Sequence, residues 1–194
     1  MKRVLLLLSD GFEAYEAAAF SDVLGFAGAF GEEEIEVITV GLHPQLQCTF
    51  GFRVIPQILS SDVQDDTFDA LAVPGGFERA GFYEDAYSDA FLDIIRRFSA
   101  AGKPIAAICT GALPVARSGV LQGRRATTYH LLDGKRRQQL AEMGAEVIDA
   151  PLVRDGRVVT SASPATAVDV AFALLDMLTS SDNVRATRHA MGYD

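Results

Sequence analysis

A cysteine that closes one apolar run and opens the next element is the residue most able to do chemistry. In Ile105-Ala106-Ala107-Ile108-Cys109-Thr110-Gly111-Ala112 a buried strand must turn straight into a helix, so Cys109 is expected on a strand-to-helix elbow. Such an elbow pushes its side chain into a crevice, and the positive end of the following helix favours thiolate over thiol. The competing account is a small hydrophobe packed in a tight core. Pro74-Gly75-Gly76 ends another apolar strand. Its N–H groups, with that of Thr110, could form an oxyanion hole; a plain turn is the alternative.

An acid is available nearby. Glu16 falls in the first turn of the helix expected after the first strand, among Phe12, Tyr15 and Phe20. Helix-terminus charge would lower its pKa there, while desolvation would raise it and let a protonated acid donate to a thiolate. Glu13 is the rival, read more naturally as a solvated cap residue, and spacing gives Glu16 the lead. Tyr129 and His130 follow Arg125-Ala126-Thr127-Thr128 and could hang over the same crevice from a strand end. Histidine is the usual base for an activated cysteine, although a lone one is more often a surface or structural residue.

These residues need a frame. Val4–Leu8 is an unbroken apolar run of the kind buried on both faces of a parallel sheet. Tyr15, Ala19, Val23, Phe26 and Phe30 recur at helical spacing, with Gly31 where a left-handed cap belongs. Strands are predicted over Ile35–Val40, Ala70–Val73, Ile105–Ile108 and Arg125–Thr128. Helices are predicted around the stripe Phe91, Ile94, Ile95 and Phe98, over Gly111–Ser118, and over Asp133–Met143 capped by Gly144. Leu152–Val159 reads as a hairpin turning at Asp155-Gly156, and Ser163-Pro164 opens a helix lined by Val168, Phe172, Leu175 and Leu178. Thr49–Val63 gives no clear signal.

Strands alternating with helices imply an α/β fold: a doubly wound, mainly parallel sheet sandwiched by helices, in one domain over residues 1–194. Ligands of such folds bind beyond the C-terminal strand ends. That rule selects Ser9–Glu16, Pro74–Phe77, Cys109–Gly111 and Thr127–His130.

Composition narrows the function classes. With 194 residues, 49% hydrophobic and 22% charged, the chain is ordinary globular material and buries about 70% of its unfolded surface. Its net charge of −9 repels phosphate backbones, so neither nucleic acid nor an anionic membrane is an expected partner. Two cysteines, Cys48 and Cys109, suit a reducing compartment, and cytoplasm is the expected location. Met1-Lys2-Arg3 before Val4–Leu8 imitates a signal peptide, but Ser9 and Asp10 end the run too early. Three histidines and two separated cysteines, without HExxH or CxxC spacing, give no metal site. The glycine spacings support no nucleotide site either, so no cofactor is expected. Lys135-Arg136-Arg137 reads as a solvated helix face.

Three segments taken together are recognisable. Ser9-Asp10-Gly11-Phe12-Glu13-Ala14-Tyr15-Glu16, Val73-Pro74-Gly75-Gly76 and Ala106-Ala107-Ile108-Cys109-Thr110-Gly111 make the chain, from about residue 2 to 192, resemble the ThiJ/PfpI or DJ-1 superfamily. The resemblance implies a flavodoxin-like or class I glutamine-amidotransferase-like frame. It also implies Cys109 as the reactive thiol, Glu16 rather than Glu13 as its hydrogen-bonding acid, and oxyanion donors at Gly75, Gly76 and Thr110. Cys48 resembles a second, non-catalytic cysteine, and members are commonly homodimers. The small residues Ala17-Ala18-Ala19 would permit close helix contact in such a dimer.

Departures shape the functional expectation. Peptidases of this group carry His directly after the cysteine, and Thr110 stands there, which disfavours proteolysis. Many members place His after the Thr-Thr pair, where this chain has Tyr129 with His130 one place on. The leading expectation is a cofactor-independent enzyme of glyoxalase or deglycase kind, in which Cys109 attacks a small electrophilic carbonyl substrate. Cys-Thr-Gly-Ala favours isonitrile hydration as the alternative. An oxidative-stress sensor without turnover, with Cys109 oxidised and steadied by Glu16, is a third.

Overall fold

Because side chains of a strand alternate between its faces, the run Val4–Leu8 feeds two cores at once. Val4, Leu6 and Leu8 enter one apolar cluster and Leu5 and Leu7 the other. The computed structural model describes residues 1–31 and 33–193. Its central sheet is built from β1 (Lys2–Leu8), β2 (Ile35–Gly41), β5 (Ile58–Leu59), β6 (Ala70–Val73), β7 (Ile105–Ala107), β10 (Leu152–Asp155) and β11 (Val158–Ser161). The strand order is β10-β11-β7-β6-β1-β2-β5, parallel throughout except for the β10–β11 hairpin. Two small ladders lie outside it. β3 (Leu46–Gln47) pairs with β4 (Arg53–Val54), and β8 (Arg125–Ala126) pairs with β9 (Glu146–Val147).

Helix α1 (Ala14–Phe30) covers one face with α6 (Ala167–Leu178) through Phe20, Val23, Leu24, Val170 and Leu174. The other face is closed by α2 (Phe82–Ala86), α3 (Asp89–Ala100), α4 (Ala112–Arg117) and α5 (Lys135–Glu142), through Phe82, Phe91, Leu113 and Leu140. Each such fully buried side chain contributes about 1.5–3 kcal/mol of apolar transfer. Connections from β1 lead one way to β2 and those from β6 the other way to β7, so the sheet changes direction between β1 and β6. At such a switch point the loops after neighbouring strands splay apart and leave a crevice.

Several sequence expectations are corrected. The buried face of α1 is Glu16, Ala17, Ala19, Phe20, Val23, Leu24 and Ala27, while Tyr15, Phe26 and Phe30 are exposed. Gly31 is extended, not left-handed; it is small because a Cβ there would lie 2.1 Å from the Asn183 side-chain oxygen. Gly102 and Gly144 do take the left-handed conformation, as does Gly156 in the β10–β11 turn. The strand predicted over Arg125–Thr128 is only Arg125–Ala126, and the helix predicted from Asp133 starts at Lys135 behind left-handed Gly134. A further helix, α7 (Ser181–Ala190), was not anticipated; the Ser180 hydroxyl caps it by accepting the Asn183 N–H. Among the described residues no helix is long and apolar enough to cross a membrane.

Candidate functional site

The elbow forms where β7 ends. Cys109 holds φ at +55°, a left-handed conformation that non-glycine residues seldom keep without outside support. It opens a single 3-10 turn, Cys109–Gly111, before α4 starts. The turn must press against the end of β6: a Cβ on Gly111 would lie 2.6 Å from the Val73 carbonyl oxygen, which only glycine avoids. Two bonds brace it. Ile108 N–H donates to Val73 O at 3.1 Å, and the buried Thr128 hydroxyl donates to Cys109 O at 2.7 Å.

The Gly-Gly turn after β6 is tied to both neighbours. The Thr110 hydroxyl accepts the Gly76 N–H and donates to Gly76 O, each at 2.9 Å. Gly75 N–H donates to Glu16 Oε2 at 2.6 Å, and Glu13 N–H donates to Gly75 O at 2.7 Å. A Cβ at Gly75 would fall 2.6 Å from Thr110 Oγ1 and 2.9 Å from Glu16 Oε2, so the turn, the acid and the elbow close on a space that excludes any side chain. The amides expected to be bare are therefore engaged. Gly75 N–H holds Glu16 and Gly76 N–H holds Thr110, which leaves the Thr110 N–H, beside the Cys109 sulfur, as the donor nearest the thiol.

Glu16 is 1% exposed and Cys109 7%. Burial pushes the Glu16 carboxyl up to about 8, against the lowering effect of the Gly75 N–H and of its side-chain hydrogen bond with Cys109. Of the two opposing effects weighed from sequence, desolvation wins. Burial also pushes the Cys109 thiol well above its usual range, and the charge of Glu16 adds to that. This corrects the expectation that the helix terminus favours thiolate. Helix α4 begins only at Ala112, and the stronger influences are desolvation by burial and an acid. Glu16 Oε1 is buried without a hydrogen-bond partner among the described residues, and the Cys109 thiol lies near enough to the carboxyl to lower it.

A cavity of about 510 Å³ opens over this pair, lined by Glu13, Glu16, Gly76, Cys109, Thr110 and Tyr129 on its inner side. Its rim carries Phe77, Glu78, Leu131, Leu132, Lys135, Arg136 and Ser163. The structure brings Cys109, Glu16, Gly76, Thr110 and Tyr129 together. It does not bring His130, whose ring lies near Asp149 with its Nδ1 buried and unpartnered among the described residues.

Three features went unseen in the sequence. Glu13, expected as a solvated cap, is buried in the cavity wall. The basic run is not a plain solvated face: Arg136 lies over the Tyr83 ring at 5.0 Å and reaches Glu78 at 2.7 Å, and Lys135 reaches the same Glu78 oxygen at 3.4 Å. Nothing local announces those contacts, because they join segments far apart in the chain. Thr128, by contrast, carried a signal, since a polar pair at a strand end above the elbow must find partners. Among the described residues no group of three His, Cys, Asp or Glu could hold a metal ion.

Comparison with known proteins agrees with this geometry. Residues 2–177 match the DJ-1/PfpI family. Protein dj-1beta of Drosophila melanogaster is 30% identical over 186 residues, 95% of this chain and 93% of that one. A deglycase of Pyrococcus abyssi is 32% identical over 165 residues, covering 84% of this chain and 90% of the relative. A glutathione-independent glyoxalase of Caenorhabditis elegans is 27% identical over 176 residues, 90% of this chain and 87% of its own. The crystal structure of Drosophila DJ-1beta superposes with a TM-score of 0.87 at 27% identity, covering 100% of this chain and 98% of that one. Matched over nearly its whole length in sequence and along its whole fold in structure, the chain belongs to the DJ-1/PfpI family.

Proposed function

We propose that the protein is a cofactor-independent glyoxalase or deglycase, in which the Cys109 sulfur attacks the aldehyde carbon of a small dicarbonyl or its adduct. One observation carries this reading: a buried carboxyl clamped by Gly75, with its other oxygen unpartnered, sits with a thiol in the wall of an open cavity. In its ionised form Glu16 takes the thiol proton as the sulfur–carbon bond forms, and the carbonyl π pair moves onto oxygen. In its protonated form it returns that proton to the oxygen, giving a hemithioacetal. A carboxyl near 8 keeps both forms available around neutral pH, the condition general acid–base catalysis needs. The Thr110 N–H faces the developing negative charge. Relatives named as deglycases and as a glyoxalase support the substrate class.

Assay of the purified protein against methylglyoxal and an alkyl isonitrile tests the reading. Lactate from methylglyoxal is the expected result. Turnover of the isonitrile alone would transfer the site to hydration, and turnover of neither, with Cys109 alone gaining oxygen under peroxide, would transfer it to sensing.

We also propose a homodimer, on different grounds from the small-residue face. Ala17 and Ala19 are buried within the chain, whereas Tyr15, Phe26 and Phe30 on α1 and Phe50 and Phe52 between β3 and β4 leave aromatic surface exposed. Sedimentation as a monomer at micromolar concentration would remove that proposal.

A further inference from the structure

Glu13 has no part in the reaction as far as written above, yet it shares the cavity with the two residues that do. Its carboxyl feels the Tyr15 N–H in the first turn of α1, and its backbone is fixed by N–H donation to Gly75 O at 2.7 Å and by acceptance from Ala17 N–H at 3.1 Å. It is 7% exposed, and what remains exposed faces the cavity. The two cations of the cavity rim, Lys135 and Arg136, both pair with Glu78, so Glu13 is not neutralised by either. The other titratable groups around it are Glu16 on its own helix, Cys109 at the elbow, Tyr129 beyond β8 and Asp133 before α5. Burial raises the Glu13 carboxyl against the influence of the Tyr15 N–H, and Glu13 in turn helps raise Glu16. The two acids are thus close enough to sense each other but differently housed. Glu16 is closed in against the sulfur, and Glu13 is open to whatever the sulfur holds.

Converting a dicarbonyl to a hydroxy acid needs a second proton transfer that this difference accommodates. Once the hemithioacetal exists, Glu16 has placed its proton on that oxygen and is the group beside it that carries the proton on to the neighbouring oxygen as the carbonyl changes place. The hydrogen on the former aldehyde carbon must still leave as a proton and arrive on the neighbouring carbon. We propose that Glu13 is a second catalytic carboxylate, the base that takes the proton from the carbon bonded to Cys109 and returns it to the adjacent carbon. This assignment rests on the glyoxalase reading.

The step balances without an outside oxidant. The C–H pair becomes the C–C double bond of an enediol while the ketone π pair moves onto its oxygen, which receives the hydroxyl proton of the first carbon by way of Glu16; reprotonation of the neighbouring carbon, with the carbonyl re-formed on the first, leaves a thioester of a 2-hydroxy acid. The first carbon is oxidised by two electrons and the second reduced by two. Water then cleaves the thioester, releasing the hydroxy acid and restoring the thiol.

The test compares wild type with Glu13→Gln and Glu13→Asp, using methylglyoxal as the probe. Two quantities are read: lactate formation, and the reversible methylglyoxal adduct on Cys109, seen by intact mass and by protection from alkylation. Glu13→Gln is expected to lose lactate formation by about 100-fold or more while forming the adduct like wild type. Glu13→Asp, which keeps the base, is expected to restore part of the rate. Lactate formation unchanged in Glu13→Gln would overturn the assignment, and so would loss of the adduct in step with turnover, since that would make Glu13 a support for the thiol. Absence of lactate from wild type would instead defeat the glyoxalase reading, and this assignment with it.

Discussion

The chain holds two buried cysteines with cavities of similar size beside them, and only one is arranged for chemistry. Cys48 accepts the Phe52 N–H on its sulfur at 3.1 Å and is fastened by its own N–H to Phe52 O at 2.8 Å. The neighbouring cavity, about 500 Å³, is lined by Asp10, Gln47, Thr49, Arg79 and Ala80. Its acid is already engaged, because Asp10 Oδ1 accepts the Gln47 N–H at 2.6 Å. Cys109 is buried too, 7% exposed against 2% for Cys48, but its backbone is left-handed and a carboxyl with an unpartnered oxygen lies beside it. Burial is thus common to both sites. What separates them is a left-handed elbow and a fully buried carboxyl that acts on the thiol.

Variants can break this contrast or sharpen it. Cys109→Ala should remove methylglyoxal turnover by on the order of 1,000-fold or more, whereas Cys48→Ala should leave it unchanged; equal losses would erase the distinction. Glu16→Gln should lower turnover by about 100-fold or more, and it has a separate signature in stability. The folded carboxyl titrates near 8 and the unfolded one near 4.5, so the folded state binds more protons between those values. Stability is then full below 4.5 and declines as pH rises through about 8. Melting temperature against pH should show that decline in wild type and a flatter profile in Glu16→Gln.

Thr128→Val removes the hydroxyl that holds the elbow carbonyl and leaves a buried acceptor unpaired. A loss of about 1–3 kcal/mol is expected in urea unfolding, together with slower alkylation of Cys109 and unchanged behaviour of Cys48. Least affected should be Glu78→Gln, which releases two cations at an exposed rim. A change below about 1 kcal/mol in the same unfolding experiment is expected, because solvent screens such pairs.

How much of this was readable in advance follows from the range of the interactions involved. The elbow was legible because an apolar strand, a cysteine and a small-residue helix start are contiguous in Ala106–Ala112. The strands β1, β6 and β7 were legible for the same reason, their burial on both faces being written as unbroken apolar runs. Spacing gave Glu16 only a slim lead over Glu13 and resemblance decided between them, since one turn of helix offers both carboxyls and burial of Glu16 depends on the distant Gly75. The direction of the thiol's shift was missed because it depends on sealing by β6 and α1, not on the local helix end. Gly31 was misread for a similar reason: its smallness answers to Asn183 in α7, a helix whose sequence is too polar to declare an apolar stripe.

The left-handed backbone at the reactive residue sets hardiness against chemistry. Glycine adopts that conformation freely, and other residues hold it at about 1 kcal/mol of strain. A search for heat-tolerant variants would therefore be drawn toward Cys109→Gly, which relaxes the bend and discards the reagent in one substitution. On the proposed function, keeping sulfur at this bend gives up some durability in exchange for a nucleophile.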